Sequence, residues 1–386
     1  MNGTTINNFN DCNNNNNEKN QSIKQTIPQY LRNVILPEVI QYEEILSKNF
    51  GRLLYIIFVY GSWIIIFTKG YPLLLSKNQS HVPLYHEQIG YIVFATCLAS
   101  WVTASYVSPG NVTRETLHRY DNYPHDNLLF VEHQICQTLQ IKKIARSKYD
   151  KYTHRHIPRF DHYCIWLKSP IGEENYRFFV LFLIVHAMTC CYGFSIVSRL
   201  FWGMMLNSSL LTPTFMRQVI VLVYIMVTEH IILACVNVFM FIMSVLLLAF
   251  LGFHLYIISN NMTTNEYFKW RKVWKWYEWE SERQSQSLSS SSGKAILKSE
   301  VNVSSSSSVA IQHRSKIFDT VVADGTHDEE VAGSTTLNTR KDNTENTIIN
   351  PGTIPKNIYN LGIVQNVYEV IFPRSRRKLE SRIKTI

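Results

Sequence analysis

Asp161, His162 and Cys164 lie almost side by side in the segment Arg159-Phe160-Asp161-His162-Tyr163-Cys164, a few residues before a long apolar run that begins at Phe178. Cysteine is the strongest side-chain nucleophile near neutral pH once it is a thiolate, and a neighbouring imidazole lowers its pKa. A carboxylate beside that imidazole fixes its tautomer and orientation. A thiol so equipped next to a membrane suits acyl transfer between a soluble donor and a membrane-associated acceptor. Each methylene buried in hydrocarbon contributes ~0.8 kcal/mol, so a fatty chain on such a thiol would rest among the apolar helices. Taken alone, the four residues Asp161–Cys164 also fit an ordinary polar loop.

The spacing constrains the backbone. Residues two apart diverge on a helix but share one face of an extended strand, so a working His162–Cys164 pair requires extended or irregular backbone. Trp166, two residues on, is placed to shield the site from water.

The elements that position this segment follow from hydropathy. The chain has 386 residues, 46% of them hydrophobic, yet its mean hydropathy is −0.07, so apolar runs alternate with very polar ones. A helical span needs about 20 mostly apolar residues. Candidates are Leu53–Phe67 extended toward Leu75, Ile89–Val107, Phe178–Met204, and the stretch from Val219 to Ile258. The last is too long for one span, and Glu229 and His230 interrupt it. Charge is costly at mid-bilayer, so we read one span at about Leu233–Ile257 preceded by an interfacial segment. The expected class is an all-α polytopic membrane protein, four spans with the catalytic loop between the second and third.

The 108–177 loop holds eleven Lys and Arg, against two in 68–88 and one, Arg217, in 205–218. Basic residues favour the cytoplasmic side, so the loop and both tails are expected in the cytosol, in an endomembrane or the plasma membrane. Sequons at Asn78 and Asn207 fall in the opposite loops, but five others lie elsewhere, so they carry little weight. No apolar core precedes Leu53, and no leader peptide is expected. The net charge of +9 fits loops facing anionic lipid. No nucleic-acid-binding motif is present.

Of seven cysteines, Cys97, Cys190, Cys191 and Cys235 fall in the spans, where cysteine usually acts as a small hydrophobe. Only Cys136 and Cys164 lie in the loop. Zinc needs four suitably spaced ligands. Cys136, His154 and His156 form a possible mixed set, but Leu139 stands where the second cysteine of a Cys-x-x-Cys would be. The basic run Lys142, Lys143, Arg146, Lys148, Lys151, Arg155 and Arg159 reads as a solvated or lipid-facing surface, or as an attractor for a phosphate-bearing donor. Trp270, Trp274, Trp276 and Trp279 read as an interfacial amphipathic helix. Arg374, Arg376, Arg377 and Lys378 read as a patch against anionic membrane. The Asn-rich residues 1–27 and the Ser/Thr/Asn-rich residues 284–350 are expected to be disordered.

With these residues in view, the chain resembles the DHHC protein S-acyltransferases (palmitoyltransferases). The match lies in Arg159–Cys164, Trp166, Gly172, Asn175 and Phe178-Phe179. Further motifs follow in the family's order. Ser108-Pro109-Gly110 is similar to its Asp-Pro-Gly, Thr263-Thr264-Asn265-Glu266 to its Thr-Thr-x-Glu, and Asn357-x-Tyr359-x-x-Gly362-x-x-x-Asn366, ending at Phe372, to its C-terminal aromatic motif.

The resemblance implies catalytic Cys164, His162 and Asp161, supporting roles for Trp166, Thr264 and Asn366, acyl-CoA as co-substrate, and cysteine-containing membrane-associated proteins as acceptors. The implied layout is a tail over 1–50, spans over 51–110 and 178–258, a catalytic domain over 111–177, the Thr-Thr-x-Glu and aromatic stretch over 259–283, an insertion over 284–350 and the C-terminal motif over 351–386. Tyr163 replaces the second histidine of Asp-His-His-Cys and Ile165 the proline. Of the family's eight zinc-ligand positions, only Cys136 and His156 keep a residue able to bind, with Leu139, Tyr149, Asp150, Thr153, Tyr163 and Pro170 at the others. This is similar to a fungal subgroup with a degraded cysteine-rich domain, in which zinc is not expected at the usual two sites. Competing readings are a pseudoenzyme that scaffolds membrane proteins and a four-span channel or carrier.

Overall fold

A computed structural model of the chain describes residues 36–76, 82–126, 128–208, 214–292 and 355–377. The expected disorder over 1–27, and over 293–350 of the insertion, lies outside the described residues.

The architecture is mostly helical. Helix α1 (Leu36–Ile65) runs through a π-helical turn at Ile66–Gly70 into α2 (Tyr71–Leu75). Helices α3 (Tyr85–Tyr106), α5 (Tyr176–Leu206) and α7 (Ile231–Ser259), together with the Asn49–Leu75 stretch, are long and apolar enough to cross a membrane, four such helices among the described residues. Between α5 and α7 lies the shorter helix α6 (Phe215–Tyr224), and a second π turn at Ile225–Glu229 ends it just before His230. The long apolar stretch is therefore one span and a preceding helix, broken where the polar pair sits.

Helix α5 packs along both α3 and α7. Polar contacts pin these helices together: Cys97 Sγ lies 3.1 Å from His186 Nε2, His86 Nδ1 3.1 Å from the Tyr192 hydroxyl, and Asn237 Nδ2 donates to Ser198 Oγ at 3.1 Å. Such contacts hold membrane helices where the hydrophobic effect cannot.

The connection from α3 to α5 is not helical apart from the single turn α4 (Leu117–Tyr120). It folds as three two-stranded antiparallel hairpins: β1 (Ile135–Cys136) with β2 (Ile141–Lys142), β3 (Lys148–Asp150) with β4 (Arg155–Ile157), and β5 (His162–Cys164) with β6 (Ser169–Ile171). Two glycines hold this region against the end of α3. Gly110 has φ +93°, and a Cβ there would meet Pro158 Cγ at 2.8 Å. A Cβ on Gly172 would lie 2.5 Å from Ile157 Cγ2 and 2.8 Å from the Pro109 carbonyl oxygen. The Ser-Pro-Gly turn and Gly172 are thus one close backbone approach that only residues without a side chain permit.

By contact the chain divides into two compact units. One comprises residues up to Ile64 with Ile165–Lys168, the other the remainder. In the first, Arg52 Nη2 donates to the Leu167 carbonyl at 3.0 Å and Lys168 Nζ to Asn49 Oδ1 at 2.7 Å.

Helix α8 (Thr264–Ser292) extends past residue 283, where the disordered insertion was expected to begin. It also differs from the interfacial helix read from its tryptophans. Trp270 is buried in a core with Leu129, Phe130, Val273, Tyr277 and Tyr359, and Trp274 and Trp276 pack against that core. The aromatics find protein before lipid. The chain ends, within the described residues, in α9 (Ile363–Ile371) and a turn through Arg377.

Candidate active site

Strand β5 carries the candidate nucleophile, Cys164, and its candidate base, His162. His162 pairs with Ile171 and Cys164 with Ser169, so the backbone is extended and the two side chains share a face. The Asp161 amide donates to the Ile171 carbonyl at 2.8 Å, which extends the hairpin by one bond. Asp161 is buried, and its carboxylate is fully occupied: Oδ2 lies 2.6 Å from His162 Nδ1, the Thr264 amide donates to Oδ1 at 2.6 Å, and the Thr264 hydroxyl donates to Oδ2 at 2.9 Å.

The electrostatics follow from these partners. Burial alone would raise the Asp161 pKa, but the bond and charge of His162, with the Thr264 amide, hold it below the ordinary value. Burial lowers that of His162, yet hydrogen bonds to Asp161 and Cys164 and their charges outweigh it and push it up to about 10. With Nδ1 committed to Asp161, Nε2 is the nitrogen left for the thiol. The arrangement favours a protonated imidazole beside Cys164.

Sequence reasoning missed a second histidine. His254, near the end of α7, is wholly buried, and its Nδ1 lies 3.0 Å from the Tyr176 hydroxyl. Its ring stands 6.1 Å from that of His162, and both pack on Phe179 at 5.0 Å. Its place inside an apolar run gave no motif to notice.

Thr264 is held in place by a buried hub. Glu266, two residues on, accepts from Arg146 Nε and Nη2, both at 2.7 Å, and from the Thr263 amide at 3.0 Å. Arg146 also donates to the side-chain and main-chain oxygens of Asn261 at 3.1 and 2.8 Å. Its guanidinium is sandwiched between Tyr123 and Tyr359, 4.9 and 4.4 Å from the ring centres. Asn261 (φ +47°) further accepts from Arg159 at 2.9 Å and donates to Glu369 at 3.0 Å. Arg146 and Arg159 are therefore buried structural cations, not members of the solvated basic surface read from composition. Arg374 likewise turns inward, bonding Glu369 and covering Tyr123, rather than facing lipid.

Asn366, fully buried, donates to the Ser259 and Asn360 oxygens at 2.7 and 2.8 Å. It ties α9 to the end of the fourth span and does not reach the reacting atoms. Trp166 sits on the turn between β5 and β6, 39% exposed.

The positions considered for metal do not form a zinc site. Cys136 is buried with Val112, Tyr120, Ile141 and Ile144, and Leu139 and Tyr149 pack on the same cluster. Where two ligands would be needed, an aliphatic and an aromatic side chain fill the space. His154 Nδ1 is taken by the Tyr149 hydroxyl at 3.1 Å. Asp150 Oδ2 caps the amide and hydroxyl of Thr153 at 2.9 and 2.6 Å, and Tyr163 stacks near Tyr152 at 4.4 Å. Among the described residues no three His, Cys, Asp or Glu are grouped to hold an ion. The residues present do not fit the metal.

His156 instead lies buried across from Tyr149, with neither ring nitrogen hydrogen-bonded. Burial, reinforced by Lys143, lowers its pKa to about 4. The unfolded chain takes up this proton near pH 6.5 and the folded chain only near 4, so the stability present above 6.5 is lost as the pH falls between those values. At about 1.36 kcal/mol per unit the full effect is on the order of 3 kcal/mol. His156→Leu is expected to lose less stability than wild type between pH 6.5 and 4 in thermal unfolding. Parallel loss in both proteins would remove this assignment.

Comparison with known proteins now bears on the site. Residues 129–271 match the family model for DHHC palmitoyltransferases. Over that segment the chain is similar to the DHHC palmitoyltransferases. The DHHC match spans all three hairpins, the third and fourth spans and the start of α8. Palmitoyltransferase SWF1 of Yarrowia lipolytica is 34% identical over 110 residues, 28% of this chain and 29% of that protein. Palmitoyltransferase SWF1 of Saccharomyces cerevisiae is 37% identical over 153 residues, 40% of this chain and 39% of the relative. Palmitoyltransferase ZDHHC4 of Mus musculus is 26% identical over 204 residues, 49% and 59% respectively. The matched segments thus span less than two thirds of each of these relatives.

Proposed function

We propose that this protein is a DHHC-type protein S-acyltransferase that carries a fatty acyl group on Cys164. The observation that supports it best is the Asp161–His162–Cys164 arrangement, with the carboxylate fixed by both the amide and the hydroxyl of Thr264. In the first step the Cys164 thiolate attacks the thioester carbonyl of acyl-CoA. The CoA sulfur leaves and takes the proton from His162 Nε2, while Asp161 holds the ring through Nδ1. In the second step the thiol of a membrane-associated protein gives its proton to His162 and attacks the acyl-enzyme. A thioester forms on the acceptor cysteine and Cys164 is released.

The excess of basic residues in the 108–177 loop supports a cytosolic site with both tails on the same side. No step requires zinc. Packing of Leu139 and Tyr149 around Cys136 takes over the role of a metal in holding the loop. Excess chelator is therefore expected to leave both the melting temperature and acyl-enzyme formation unchanged; a fall in either that added zinc restores would contradict this reading.

The deciding experiment is incorporation of labelled fatty acyl-CoA into the purified protein, wild type beside Cys164→Ala, followed by neutral hydroxylamine. Hydroxylamine-labile label on wild type alone is the expected result. Equal labelling of both proteins, or of neither, would favour a scaffold that keeps the fold without the chemistry.

A further inference from the structure

Helix α9 turns Asn366, Glu369 and Val370 inward and leaves an apolar face outward. Ile363, Val364, Val367, Ile371 and Phe372 are all exposed on it, Val364 to 84%. The helix is pinned at two points. Asn366 bonds the carbonyl of Ser259, the last residue of the fourth span. Arg177, the second residue of the third span's helix, donates to the Ile371 carbonyl at 2.7 Å. Those spans run antiparallel, so both pins lie on the same side of the membrane, at the level where hydrocarbon meets headgroups. An apolar face at that level is continuous with the lipid-facing surface of the spans.

Charge at the C-terminal end of α9 points the same way. Arg177, Arg376 and Arg377 gather there, with Arg377 over Tyr368 at 5.2 Å and Arg177 over Phe178 at 4.8 Å. Arg177 Nε and Arg377 Nε and Nη2 are buried without a hydrogen-bond acceptor among the described residues, while Arg177, Arg376 and Arg377 each remain partly exposed. Of the nearby carboxylates, Glu369 bonds Arg374 and Asn261, Glu174 bonds Arg119 and Tyr120 while its charge also reaches Arg177, and Glu173 accepts from the Ser375 amide through Oε1 with Oε2 left unbonded. Partly exposed guanidinium groups with no hydrogen-bonded carboxylate, beside an apolar face, match a phosphate-bearing lipid headgroup.

We propose that α9 lies in the membrane leaflet by this apolar face and that Arg177, Arg376 and Arg377 bind the phosphate of an acidic phospholipid. This site is separate from Cys164 and stands whether or not the chain transfers acyl groups.

Two measurements on the full-length protein test it. In lipid nanodiscs, a photo-crosslinking benzoylphenylalanine at position 364 should form adducts with labelled phospholipid, and one at Tyr152 in the hairpin region should not. In detergent, dioctanoyl phosphatidylinositol 4-phosphate should raise the melting temperature of wild type. Arg376→Gln/Arg377→Gln, which keeps the Arg177 bond to α9, should weaken that half-saturation at least tenfold. Adducts absent at 364, an equal shift from dioctanoyl phosphatidylcholine, or an unchanged response in the double variant would each overturn the proposal. So would an equal shift from free CoA that the double variant abolishes, because the phosphate would then belong to the acyl donor.

Discussion

Asp161→Asn is expected to slow acyl-enzyme formation by about 10⁴-fold, the size of effect seen when the triad carboxylate of a serine protease becomes an amide. That corresponds to about 5 kcal/mol of transition-state stabilisation. The cause is geometric. In the native site Oδ1 accepts from the Thr264 amide, and Oδ2 accepts from both the Thr264 hydroxyl and His162 Nδ1. An asparagine can keep its oxygen toward the Thr264 amide, but its NH₂ then faces two donors. The ring escapes this clash by moving its proton to Nε2, the nitrogen that must accept from Cys164. The lost carboxylate charge also removes much of what raises the His162 pKa. Single-turnover labelling with acyl-CoA should show the rate constant falling while the concentration dependence stays near wild type. A loss below tenfold would mean that Asp161 is not the orienting group.

The second large effect is on folding. Arg146 and Glu266 are each about 1% exposed, and removing one partner of a buried ion pair typically costs 3–5 kcal/mol, because the other charge is left uncompensated. Glu266→Ala should therefore lower thermal stability by about that amount. It should also slow acyl-enzyme formation, since Glu266 fixes the turn that carries Thr264. Arg146→Lys keeps the charge but loses the two-pronged bond and the stacking between Tyr123 and Tyr359, so it should fall between wild type and Glu266→Ala. Replacing both residues by methionine should recover part of the loss, as apolar pairs often do in buried positions. Thermal unfolding of the four proteins decides the matter. A Glu266→Ala protein as stable as wild type would show that the pair is not what holds the turn.

The spans and the extended backbone at His162–Cys164 were legible because each rests on local pattern. An apolar run long enough to cross a bilayer declares itself, and so does the interruption at Glu229 and His230. The hub was not legible. Arg146 looks like its neighbours Lys142, Lys143 and Lys148, and nothing in a basic run marks which cation is buried. Its partner lies 120 residues away, beyond any local pattern. Arg374 was misread although its partner Glu369 is five residues away, because nothing local shows that this carboxylate faces inward from α9. The tryptophans of α8 misled differently. Aromatics among lysines and arginines suit a headgroup layer and a protein core equally, and Trp270 found a core formed by residues on both sides of it in sequence.

The Asn261–Arg146–Glu266 hub also has a consequence in time. Synthesis runs from the amino terminus, so Asp161, His162 and Cys164 emerge some two hundred residues before Tyr359 and Glu369 close over Arg146 and Asn261. Until then the guanidinium lacks one face of its sandwich, and the turn carrying Thr264 lacks its support. A nascent chain would display its thiol to the cell long before the carboxylate beside it is locked. Helix α9 and the segment before it thus work as a completion signal, and a chain cut short before Tyr359 should carry every candidate catalytic side chain yet remain silent.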